Sequence, residues 1–203
     1  NMTIEELYDK LSSKEFQDTE HGDLFYNFYL FQYDPSQEYY IREQIEVFKK
    51  NLSRPTNYVE VLVLDLFNEF CNFLNGMPFG KLNASQLMYY LDKDNTGNSD
   101  TVLTALGIKA SSTQFCEYIN NRILEHINTD SKNKKPYIFL TGFGAMFPFL
   151  RTSAFLTAFE KFNNTSKYKI IIFYPGVSKG NSFSLFGLLN DHRTYRAIKL
   201  IND

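Results

Sequence analysis

Apolar residues recur along this chain in two rhythms, one of helices and one of buried strands. Thr3 followed by Glu6 forms a capping-box signal, and Ile4, Leu7, Tyr8 and Leu11 then repeat at helical spacing, which predicts a helix over 3–17. LFYNFYLFQY (24–33) is apolar and aromatic at both parities and reads as a strand buried on both faces. Asp34-Pro35 closes it as an N-cap with proline at the first helical position, and Gln37 can complete a box. Ile41, Ile45, Phe48 and Leu52 then mark one face of a second helix. After a break at Ser53-Arg54-Pro55, YVEVLVLDLF (58–67) reads as a second strand. Strand, helix and strand in close succession predict a βαβ unit and a parallel sheet.

Residues 68–133 are less regular. Helices are expected near 84–91 and over 112–128, the second through Phe115, Ile119, Ile123 and Ile127. PYIFLTG (136–142) and KIIIFYPG (169–176) read as strands, with a helix near 151–162 between them carrying Ala154, Phe155, Ala158 and Phe159. YRAIKLI (195–201) reads as a last short strand. The expected fold is a single three-layer α/β domain over 1–203, with 68–133 as a helical insertion. Its sheet holds four or five mostly parallel strands with helices on both faces. Segments 24–33, 58–64, 136–141 and 169–174 should be neighbours.

Composition narrows the class. A chain of 203 residues can bury roughly 70% of its unfolded surface in one core. With 20 Phe and 14 Tyr it has ample material for one. Cys71 and Cys116 stand apart, with no CxxC, and read as buried reduced thiols. No apolar run reaches the length of a membrane span, and no basic-then-apolar leader opens the chain. The expectation is a soluble, cytoplasmic protein without a membrane partner. Charge is unevenly spread. Residues 1–48 carry eleven acids against three bases, whereas 167–203 carry six Lys/Arg against two Asp. That leaves nucleic acid as an indirect partner at most.

In a parallel sheet chemistry collects beyond the carboxyl ends of strands, here Asp34, Asp65, Gly142 to Arg151 and Gly176 to Asn181. Gly142 and Gly144 fit the first two positions of a dinucleotide fingerprint, but Phe147 occupies the third. Bulky Met146, Phe147 and Phe149 would block phosphate, so a packing turn explains all of this stretch except Arg151. Gly176 and Gly180 flank Lys179, yet a P-loop needs four residues between the glycines and a lysine after the second, where Asn181 stands. Asp34 ends the first strand, the usual place of a P-loop, with a carboxylate. Asp65 could bind Mg²⁺ but is more simply the cap of the helix starting at Leu66. DKDNTGNSDTVL (92–103) imitates an EF-hand loop, yet Ser99 and Leu103 replace its apolar and bidentate positions, leaving a polar surface loop. His21, His126 and His192 are scattered, and no catalytic residue, metal site or cofactor is expected.

LTGFGAMFPFLRTS (140–153), FYPG (173–176), SLFG (184–187) and DHRTYRA (191–197) together resemble the BrxB family, a component of BREX bacteriophage-exclusion systems. Tyr33-Asp34-Pro35 and Leu64-Asp65-Leu66 resemble that family's strand ends. The chain departs from the family pattern at Ser153 and over Asp191–Arg196. The resemblance covers nearly the whole chain. It implies a small subunit of a multi-protein defence system whose other members supply methyltransferase, ATPase and, in PglZ, alkaline-phosphatase-like functions. No enzymatic activity is implied for the family itself. The combined reading is a P-loop-NTPase-like or Rossmann-like scaffold without a P-loop, working as a non-enzymatic interaction subunit with other BREX subunits, foremost PglZ. Arg151, Arg196, Gly142, Gly144, Gly176, Lys179, Gly180 and Asn181 are its candidate partner- or anion-binding residues. The alternative is a degenerate nucleotide or anion binder without hydrolytic activity.

Overall fold

The computed structural model describes residues 2–17, 28–79, 82–83, 85–86, 99–129, 135–146, 150, 152–159, 168–179, 182–184 and 198–200. The capping box forms: Thr3 Oγ1 accepts the Glu6 amide at 3.2 Å, and the Thr3 amide donates to Glu6 Oε2 at 2.8 Å. It opens α1 (Ile4–Ser12) with Ile4, Leu7 and Leu11 buried. The single helix expected over 3–17 is broken at Ser13, and α2 (Lys14–Gln17) follows. The Ser13 hydroxyl donates to the Lys10 carbonyl at 2.8 Å and accepts the Phe16 amide at 3.3 Å. One side chain therefore closes a helix and opens the next, which apolar periodicity does not register.

Chain contacts divide the molecule into two compact units, Asn1–Leu64 with Ile123–Thr141 and Asn164–Asp203, and Asp65–Arg122 with Gly142–Asn163. The sheet runs in the order β2 (Val59–Asp65), β5 (Lys135–Thr141), β6 (Lys169–Pro175), β1 (Phe28–Tyr33), β9 (Ile198–Leu200). β5, β6, β1 and β9 pair parallel, with Phe28 opposite both Ile170 and Ile198, and Tyr137 opposite Lys169. The four expected segments are neighbours in an open α/β sheet. β1 and β2, however, are separated by β6 and β5, although α3 (Glu38–Leu52) joins them in sequence. Between β1 and α3, Pro35–Gln37 forms a 3-10 turn in which the Asp34 carboxylate accepts the Ser36 amide and not that of Gln37, so the expected box does not form.

Tyr29, Phe31, Tyr137, Phe139, Ile171 and Phe173 share a core with α1 and with Ile41, Ile45, Phe48 and Leu52 of α3. Alternate strand residues Leu30, Ile138, Leu140, Ile170 and Ile172 are fully buried as well. Both faces are thus covered, as Rossmann-like layering requires. At the amino end of β6 the buried Lys169 ammonium lies 4.5 Å from the Phe16 ring centre and donates to the Tyr29 hydroxyl at 3.2 Å. Aromatic faces and a hydroxyl hold this cation.

The second unit is helical. Asp65 caps α4 (Leu66–Asn75), and the short strands β3 (Pro78–Phe79) and β4 (Leu82–Asn83) pair antiparallel. α5 (Ser99–Ala110) leads to α6 (Thr113–Asn128), whose first part belongs to this unit. α7 (Phe143–Met146) and α8 (Thr152–Phe159) complete it. Phe115 sits 5.2 Å from Phe70 and 5.3 Å from Phe73, and Phe155 lies 5.4 Å from Phe159. α5 corrects the polar loop expected over 92–103, since helix begins at Ser99; residues 92–98 lie outside the described residues. Except for Ser85 and Gln86, the helix expected near 84–91 also lies outside them.

Candidate functional site

In the first unit, the end of β1 is held by carboxylates. Asp34 is exposed, and its Oδ1 accepts the Ser36 amide at 2.8 Å. The Ser36 side chain first, and its amide second, hold the Asp34 carboxyl below the ordinary 3.8. Next to it the Tyr33 hydroxyl donates to Glu38 Oε2, whose other oxygen accepts from Arg42 Nε at 2.9 Å. Burial, and then Glu38, push the Tyr33 hydroxyl far above its usual range, so it remains a donor. Where a phosphate loop would present amides and a lysine, this chain presents two carboxylates and a phenol. Anions are disfavoured there.

β6 ends at Gly176, which is buried with φ at 150°. Its amide donates to the Tyr33 carbonyl at 3.0 Å and is committed to joining two strand ends. Beyond it, YPGVSKGNS is no strand-to-helix loop. β7 (Val177–Lys179) and β8 (Ser182–Ser184) pair antiparallel, with Lys179 opposite Ser182. A phosphate loop works by aiming free amides from a helix start, and the described flanks of this segment are a hairpin ladder. Gly180, Asn181, Arg151 and Arg196 lie outside the described residues.

In the second unit Asp65 and Gly142 meet. Asp65 Oδ1 accepts the Asn68 amide at 3.1 Å, the cap expected from the sequence. Gly142 is buried with φ at 81°. A Cβ there would run into Asp65 Oδ1, with Cγ at 3.0 Å and the Leu66 amide nitrogen at 3.1 Å. The glycine gives both the left-handed turn and room for the carboxylate. An anion approaching Gly142 would meet that same carboxylate. Gly144 lies in α7, where Phe143 and Met146 are buried, so the described part of this stretch is a packing turn.

Cys116 is buried, and burial pushes its thiol up to about 11. Cys71 is only half-buried, a correction to the expected pair of buried thiols; burial and then the Asp65 charge raise it. Neither is activated for attack. Among the described residues no three His, Cys, Asp or Glu form a metal-binding group, and no described helix is long and apolar enough to cross a membrane.

Sequence reasoning passed over the outer face of α3. Tyr39 is 85% exposed, with Tyr40 and Val47 also open. The signal was available: these positions fall off the Ile41/Ile45/Phe48 stripe, where a solvated helix ordinarily carries charge.

Comparison of the sequence with known proteins finds a family. The family model described as "BREX protein BrxB" matches residues 81–200. Over 202 residues the chain is 26% identical to the BREX protein BrxB of Bacillus cereus (strain H3081.97), covering 100% of this chain and 97% of that protein. No solved structure matches it.

Proposed function

Because this chain belongs to the BrxB family and is thereby a component of a BREX system, we propose that it acts there as a non-enzymatic interaction subunit in the cytoplasm. The observation that carries this reading is the occupation of strand ends by carboxylates. Asp34 and Glu38 stand at the end of β1, and the Asp65 carboxylate fills the space beside Gly142. Phosphoryl chemistry needs cations and free amides at such places. Its partners are other BREX subunits, foremost PglZ, with Arg151 and Arg196 as contact residues, since a guanidinium makes bidentate contacts with carboxylates.

Two measurements test this. The purified chain should show no ATP turnover; Mg²⁺-dependent hydrolysis abolished by Lys179→Ala would overturn the non-enzymatic reading. Arg151→Ala and Arg196→Ala should leave the melting point nearly unchanged while weakening recovery of PglZ in a pull-down. If the arginines were buried structural partners, truncation would instead cost about 3–5 kcal/mol of stability. Strong destabilisation of both variants, or undiminished recovery of PglZ by both, would remove them from the contact.

A further inference from the structure

The last turn of α6 carries a histidine whose ring is turned inward. His126 is half-buried, and its Nε2 is sealed from solvent with no hydrogen-bond partner among the described residues. The ring is hydrogen-bonded to the backbone of Glu60 in β2, and this bond favours the protonated imidazole, so the carbonyl accepts. With Nε2 unpartnered, Nδ1–H is the donor, and the neutral ring keeps its lone pair inside. Two charged groups face the ring from the elements packed against it, the Glu60 carboxylate from β2 and the Lys49 ammonium from α3. His126, Glu60 and Lys49 all belong to the first unit. On α6 itself the charged neighbours are Arg122, one turn before, and Glu125. The carboxyl end of a helix favours an imidazolium, and so does Glu60. Burial outweighs both, helped by Lys49, and keeps the ring neutral to below the ordinary 6.5.

We propose that His126 is a proton-operated latch between the last turn of α6 and strand β2. β2 stands at one end of the strand order, and its neighbour β5 is the strand that α6 leads into, so the latch closes the margin of the sheet. The Thr129 hydroxyl donates to the His126 carbonyl at 2.7 Å and closes the helix at the same residue. The neutral imidazole holds helix and strand together; a second ring proton releases them. That proton must sit on Nε2, where a charged N–H is buried with nothing to accept it, at a cost well above that of an idle lone pair. The ring escapes by turning out to water, which breaks the Nδ1 bond to Glu60. Released, the imidazole takes up its proton near 6.5; latched, it does so only at lower pH. The latch therefore holds fully above 6.5 and loses its hold as the pH falls from there through the latched value.

The test follows the full chain by proton NMR and amide exchange. The ring resonance missing from His126→Gln identifies His126, and it should titrate below 6.5. Between about pH 7.5 and about pH 5.5, protection of the 123–128 amides, corrected for intrinsic exchange, should fall several-fold. A free imidazole one unit below 6.5 sets the ceiling of that loss at about tenfold. Amides of Ile170–Phe173 should keep their protection. His126→Gln has no proton to gain and should hold constant protection at 123–128 across the range. Where that variant fails to fold, two charge variants decide. Lys49→Met should raise the ring's titration and shrink the acid loss, whereas Glu60→Gln should lower the titration and enlarge the loss. Titration at 6.5 or above, or a loss under about twofold, would overturn the latch. So would an equal loss in His126→Gln or at Ile170–Phe173, or charge variants that leave the titration where it was.

Discussion

Asp34 and Asp65 are two answers to one local instruction. Each stands at the end of a strand, and each side chain accepts an amide of the helical turn that it opens. Asp34 is exposed, reaches only to Ser36, and is followed by a 3-10 turn. Asp65 reaches to Asn68, opens a ten-residue α-helix, and has Gly142 pressed against its carboxylate. The difference shows that a capping residue's importance is decided by what the fold brings against it. An exposed cap contributes only the amide bond that it makes; a cap that meets a second segment also becomes part of the packing.

The sharpest way to break the comparison is Gly142→Ala. It should cost about 3 kcal/mol, from left-handed backbone in a residue with a Cβ and from overpacking against Asp65 and Leu66. A urea midpoint equal to wild type would show that the contact does not constrain the chain. Part of that loss should be recovered in Gly142→Ala/Asp65→Ala, because the two sites touch. Asp65→Ala alone should cost about 1–2 kcal/mol and Asp65→Asn much less, since asparagine caps as well. Both should speed alkylation of Cys71, whose thiol the Asp65 charge helps to keep protonated. An unchanged rate would mean that burial alone protects it. The smallest effect belongs to Asp34→Ala, which should barely move the melting point.

Acid titration separates what Asp34 does contribute. Its folded carboxyl lies below the ordinary 3.8, so its stabilisation is complete above that value and is lost as the pH falls through the lower folded one. In Asp34→Asn that acid dependence should vanish while the Ser36 amide stays protected from exchange. A carboxyl carbon shift that titrates at 3.8 or above in the native protein would contradict the Ser36 bond.

What could be read in advance follows from how local each signal is. The run Ile170 to Phe173 and the stripe Ile41, Ile45, Phe48 are dictated by burial, and they formed where the pattern put them. The Thr3–Glu6 box and the Asp65 cap are complete within four residues of chain. The break at Ser13 was hidden because one hydroxyl makes it, and a similar device recurs at Ser112, which bonds the Lys109 carbonyl and the Phe115 amide. α5 escaped because its apolar residues do not gather on one face. The pairing of Lys179 with Ser182 across two residues was legible in principle, since Gly-Asn is hairpin chemistry, but two glycines beside a lysine resemble a phosphate loop equally well. Gly142 against Asp65 was not legible at all. Nothing near either residue specifies a contact between segments so distant in sequence.

The position of β1 in the sheet has a consequence for how the chain comes into being. Its two neighbours, β6 and β9, are about 140 or more residues downstream. On the ribosome, β1 therefore emerges long before either strand that will flank it. Until then Tyr29, Leu30 and Phe31 offer an apolar ribbon with both backbone edges open, a template for any passing strand. Long-range parallel pairing of this kind is slow to close and exposed to misassembly while it waits. The acidic residues crowded into the first 48 positions surround that ribbon with like charge during this interval, keeping nascent chains apart until the sheet's centre is filled.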